Sequence, residues 1–224
     1  MSISAWLVVG VAWFAAGEDK GQVLLHEGFG GALPSCVRWV REDAGEWRIR
    51  DGRLEVRSQP GHIWGGNDAK NVLLFDGPIN GSAEARVSVT HQPKELWEQA
   101  GLLWYADDDN FVKLISEQIE GKMYVVIARE LGGRGQVVGK LVVPASDIQL
   151  RLKVDGKQVT GQWRVTEKDE WNDAGNCPLD TEKPAHFGLF TQNGPKAPVR
   201  WVSFDDWEIA KTMPAAAAPN ETKK

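Results

Sequence analysis

Cysteine and histidine are scarce: Cys36 and Cys177, and His26, His62, His91 and His186, are all that 224 residues hold. None of the six stands at a zinc-type spacing, which excludes a sequence-encoded metal finger. Basic residues are outnumbered, 26 Lys and Arg against 31 Asp and Glu, for a net charge of −5. A nucleic-acid partner calls for a basic stripe, so no nucleic acid is expected. After the N-terminal stretch no apolar run is long enough to cross a membrane as a helix. A 3.6-residue period is missing throughout, as are GxSxG, HExxH and a phosphate-cradling glycine turn. The glycine-rich "ELGGRGQ" at 130–136 reads as a hairpin loop instead.

The chain opens with an apolar run from Ala5 to Ala16, then Gly17, then charge at Glu18, Asp19 and Lys20. That pattern predicts a signal peptide over residues 1–17, an uncleaved anchor being the alternative. It places the protein outside the cytoplasm, secreted or in the periplasm or cell envelope. There the two cysteines either pair, a long loop closure worth ~5 kcal/mol, or sit as separate buried thiols. The small and polar residues 212–224 read as a disordered tail, which leaves 22–211 as one domain with a single core.

Within that domain the signal is β. In "EWRIRDGRLEV", Trp47, Ile49, Leu54 and Val56 alternate with charged residues around Asp51-Gly52, a pair suited to a type I′ hairpin turn. "SAEARVSVT", "KMYVVIARE", "LRLKVDGKQVTGQWRV", "HFGLF" and "WVSFDDWEI" repeat the grammar. Many short alternating strands predict an all-β fold, a two-sheet antiparallel jelly-roll sandwich. Between the strands "QAGLLWYA" and "FVKLISEQ", Asp107, Asp108, Asp109 and Asn110 then form a turn. Their spacing lacks the alternating ligands of a calcium loop, although distant loops of a sandwich leave a structural calcium ion open; no other cofactor is expected.

The order of these segments resembles the concanavalin A-like domain at the C-terminus of some β-xylosidases and its stand-alone bacterial relatives. The similarity spans roughly Leu24 to Ile209. It is carried by Gln99-Ala100-Gly101-Leu102, by Asp109-Asn110-Phe111-Val112-Lys113-Leu114 with Glu117, and by Phe204-Asp205-Asp206-Trp207. The resemblance implies a curved sandwich in contact with carbohydrate, often beside a glycoside hydrolase domain, without bond cleavage of its own.

Strand parity locates a binding face. Ala100, Leu102 and Trp104 share one side of their strand, and Val112, Leu114 and Ser116 one side of the next. The other side collects Gln99, Tyr105, Lys113, Glu117 and His186, polar groups able to bond sugar hydroxyls on a concave sheet, or else an ordinary solvated face. Of 11 tryptophans, Trp47, Trp104 and Trp163 run in phase with aliphatic neighbours and belong to the core. Trp64, in the loop "PGHIWGGNDAKN", is the expected exposed stacking platform, with Trp97 and Trp171 as weaker candidates. The expected function is a secreted, non-catalytic glycan-binding domain. The alternatives are a sugar hydrolase centred on Glu117 and an envelope scaffold that binds a glycoside hydrolase or another protein.

Overall fold

The computed structural model describes residues 21–212. The expected signal peptide and most of the expected tail lie outside the described residues. The elements are β1 (Val23–Glu27), β2 (Val37–Val40), β3 (Trp47–Arg50), β4 (Arg53–Arg57), β5 (Val72–Phe75), β6 (Ala83–Thr90), β7 (Gln99–Asp107) and β8 (Asn110–Ile119). They continue with β9 (Lys122–Leu131), β10 (Arg134–Val143), β11 (Asp147–Asp155), β12 (Gln158–Arg164), β13 (Asn172–Pro178), β14 (His186–Gln192) and β15 (Trp201–Lys211). All pairings are antiparallel. One sheet runs β13-β12-β11-β6-β15-β4-β3 with β1 on β15, and the other β10-β9-β8-β7-β14-β5-β2. The protein is thus an all-β sandwich, as its alternating strands predict.

Turn chemistry fixes the hairpins. Asp51 and Gly52 both take positive φ, 52° and 72°, as a type I′ turn requires. Glu120-Gly121 and Gly132-Gly133 do the same between β8 and β9 and between β9 and β10. The Asp107–Asn110 turn works differently: none of its residues is left-handed, and Asp107 Oδ1 instead accepts the Asp109 N–H at 2.9 Å.

The main core fills the space between the sheets. Leu54, Val56, Val87, Leu102, Leu114, Leu150, Phe187, Phe204 and Trp207 meet there, with Trp47, Trp104 and Trp163 packed against its margin. Phe204 and Trp207 are both fully buried although three strand positions apart, which simple alternation forbids. A bulge between Asp205 and Glu208, with Asp206 at φ 49°, resets the phase. Cys36 and Cys177 remain free thiols, and burial pushes the Cys177 thiol up.

Gly101 allows β7 and β8 to approach. A Cβ there would lie 2.2 Å from the Leu114 backbone oxygen and 3.0 Å from Leu150. Gly101→Ala is therefore expected to cost roughly 3 kcal/mol, read as a fall in the urea midpoint.

Candidate functional site

Register arranges the outer face of the second sheet in rows. Gln192, Gln99, Glu117, Tyr124 and Val142 stand side by side on β14, β7, β8, β9 and β10. The next row is Phe190, Gly101, Ile115, Val126 and Lys140, then Gly188, Leu103, Lys113, Ala128 and Val137, then His186, Tyr105, Phe111, Glu130 and Gly135. The residues expected on one face do share it. Gln99 and Tyr105, however, are six residues apart, roughly 20 Å at ~3.3 Å per residue.

The middle of this face is not solvated. The segment between β4 and β5 folds back across it, and Ile63 and Ala69 join Leu103, Phe111, Ala128 and Phe190 in a second apolar cluster. The Ile63 N–H donates to Gln192 Oε1 at 2.9 Å, and Arg41 ties the far end through Ala69 O and Asp108 Oδ2. The expectation of a freely exposed Trp64 is corrected accordingly. Glycines and prolines made the segment read as an end loop, but the apolar Ile63 and Ala69 drive it onto the sheet, and Trp64 is half-buried. Its ring lies so close to Gly135 that a Cβ there would sit 1.8 Å from Nε1. Gly135→Ala is expected to lift the indole, seen as a shift in tryptophan emission and faster proteolysis within 61–70.

Next to this roof lies a hollow of about 490 Å³, within the usual range for ligand sites. His62, Trp64, Trp97, Gln99, Lys113, Glu117, Val126, Val137, Gln192 and Asn193 line it. Four of the six expected site residues, Trp64, Gln99, Lys113 and Glu117, are therefore brought together. Tyr105 and His186 are not: Tyr105 is buried at the opposite end, and the His186 ring bonds Phe75 O at 2.9 Å. The Tyr105 hydroxyl donates to Asp108 Oδ1 at 2.8 Å, and burial together with Asp108 raises its pKa.

The floor is a hydrogen-bonded chain. Gln99 Oε1 accepts from Lys113 Nζ at 3.0 Å and from Gln192 Nε2 at 2.8 Å, while Gln99 Nε2 donates to Glu117 Oε2 at 2.6 Å. Lysine can only donate and a carboxylate only accept, so the amide has one orientation. Glu117 Oε1 is left without a hydrogen bond among the described residues and can accept one from a ligand. His62 Nδ1 lies 2.7 Å from Trp64 O and donates to that carbonyl, which holds the ring at the edge of the hollow. Lys113, 1% exposed, sits with its ammonium 4.4 Å from the Trp64 ring centre. Burial pushes its pKa down to about 7, against the opposing pull of Glu117 and Glu130. Glu130, its pKa raised by burial and by Asp109, is a buried carboxyl that the sequence did not single out.

The exposed platform is Trp97, at 60% accessibility and φ 65°. Its loop is locked by the buried Glu98, whose Oε2 accepts from Lys94 N, Glu95 N and Arg200 Nη1 at 2.8, 3.2 and 2.7 Å. Trp171 belongs to the other sheet's side, where the Arg151 and Arg164 guanidiniums lie 4.2 and 4.3 Å from its ring.

The aspartate turn is occupied by protein partners. Lys183 binds Asp107, and Arg41 binds Asp108 at 2.7 Å. Among the described residues no group of three or more His, Cys, Asp or Glu is placed to hold a metal ion. No helix of the described residues is long and apolar enough to cross a membrane.

Fold and hollow together define a jelly-roll β-sandwich with an aromatic-walled site on one outer face. Residues 39–212 match the family model described as "Protein of unknown function (DUF1349)", and the chain belongs to that family. Among solved structures the fold is similar to the GH43 protein BlXynB of Bacillus licheniformis, at 19% identity and a TM-score of 0.76, covering 91% of this chain and 41% of that one. It is similar likewise to a xylan β-1,4-xylosidase of Bacillus halodurans C-125, at 16% identity and 0.74, covering 94% and 42%. A third likeness is to the CBM2 module of the evolved Dit of Lactobacillus casei BL23 phage J-1, at 10% identity and 0.58, covering 89% and 100%. The chain thus spans about two fifths of the GH43 chains it matches. No curated protein sequence matches it.

Proposed function

We propose that the protein is an exported, non-catalytic carbohydrate-binding module whose site is the hollow between Trp97, Trp64 and the Gln192–Gln99–Glu117 row. One observation carries this reading: aromatic side chains line the same hollow as a fixed row of amide and carboxylate groups that leaves one carboxylate oxygen free to accept. A sugar ring presents C–H faces to an indole and hydroxyls at its edge, so it matches both halves. The fold shared with GH43 proteins and with a module designated CBM2 supports a glycan context. Export rests on the N-terminal apolar run alone.

A glycosidase reading has less support. It needs two carboxyls about 5 to 10 Å apart. Among the described residues Glu117 is the hollow's one carboxyl, and Glu130 stands six residues along the face, roughly 20 Å away. The scaffold reading draws on the exposed Leu96, Trp97 and Val199, which would equally suit a protein partner.

The test is a polysaccharide and oligosaccharide screen on the chain from Glu18, read by tryptophan emission. A saturable shift with one glycan class supports the module. Silence from every glycan, together with a stable protein partner in a pull-down, favours the scaffold.

A further inference from the structure

We propose that the binding site continues past the hollow, along the Gln192–Val142 row, to a second aromatic subsite at Tyr124, and that its ligand is an extended neutral sugar chain. This rests on the carbohydrate reading above. The floor of the hollow uses Gln192, Gln99 and Glu117, two interstrand steps or about 10 Å. The same row runs on to Tyr124 and Val142, four steps or about 19 Å in all.

Extension in the other direction is blocked. Along the strands the rows of Leu103 and Phe111 lie under Ile63 and Ala69 in the second apolar cluster. Across the strands no described residue closes the way, because β10 is the last strand of its sheet and Val142 is 58% exposed. Tyr124 borders Glu117 directly and is half-buried, with Lys140 Nζ 4.5 Å from its ring centre. The phenol hydroxyl makes no hydrogen bond among the described residues, so it is available to a ligand, while the ring packs against the second apolar cluster beside Lys140 and is exposed in part. Glu117, between the two aromatic positions, disfavours an anionic group in the middle of the ligand and accepts from a hydroxyl there.

Calorimetric titration with xylo-oligosaccharides, and in parallel cello-oligosaccharides, from disaccharide to hexasaccharide tests this. Affinity is expected to rise with chain length by about tenfold, and Tyr124→Ala to remove that rise while leaving the disaccharide within about twofold. Tyr124→Phe keeps the ring and should keep the length dependence, which separates a lost subsite from a damaged fold. Equal affinity for all lengths, or an equal loss at every length in Tyr124→Ala with Tyr124→Phe intact, overturns the second subsite and leaves the module standing. Binding of no member of either series by folded protein overturns the extended neutral-chain subsite, and the module reading falls with it only if the wider glycan screen is silent too.

Discussion

Trp97→Gly is expected to abolish most glycan binding while leaving the protein as stable as before or more so. The two effects have separate causes. Trp97 is mostly exposed, so its removal opens no core cavity. Its backbone sits at φ 65°, where a residue with a Cβ is strained by roughly 1 kcal/mol that glycine relieves. A ligand covering roughly 80 Å² of the indole gains about 2 kcal/mol at ~25 cal/mol per Å², or roughly thirty-fold in Kd. Glu98 and Arg200 hold the loop whether or not the indole is present. Titration and urea unfolding on the same sample check the pair. Unchanged affinity would remove Trp97 from the site, and a large loss of stability would make it a structural residue. Strain retained beneath an exposed aromatic is what a binding role explains and packing does not.

Acid is expected to destabilise the fold through His91 before the exposed carboxylates titrate. His91 is buried between the sheets, its Nδ1 2.8 Å from Ser116 Oγ and its Nε2 without a partner. Burial holds its pKa down to about 3, against 6.5 in the open chain. Between those values the unfolded chain binds a proton that the folded protein refuses, so unfolding free energy rises with pH. The contribution is complete above pH 6.5 and drains away as pH falls toward 3. It amounts to about 2 kcal/mol between pH 6.5 and pH 5, at ~1.4 kcal/mol per pH unit. Urea unfolding across that window measures it. His91→Gln keeps a side chain able to bond Ser116 and should flatten the slope, although it begins less stable at pH 7. A variant with the wild-type slope would assign the acid sensitivity elsewhere.

The hollow also shows where sequence reasoning stops. Period two was enough to place Gln99, Lys113 and Glu117 on one face, because successive strand residues point to opposite sides regardless of what surrounds them. Tyr105 and His186 satisfied the same parity and still lie at the far end, since parity says nothing about distance along a strand. Trp64 failed as an exposed platform for a different reason. Glycine, proline and asparagine mark the segment as loop, but the direction of a loop depends on which apolar surface Ile63 and Ala69 can reach, and that surface is assembled by β7, β8, β9 and β14. Trp97 carried a weaker signal than Trp64 because its exposure depends on Glu98, Arg200 and a left-handed backbone at one residue. Arg200 is remote in the chain from the loop it fixes.

By itself, then, the sequence determined the strands, their buried sides, the Asp51-Gly52 turn and the family, because each rests on local alternation, local turn chemistry or an ordered set of short motifs. Only the tertiary structure decided which polar residues meet, which tryptophan faces solvent and what covers the middle of the face. Register couples residues tens of positions apart, and burial of apolar loop residues against a sheet is a property of the assembled surface, not of either segment alone.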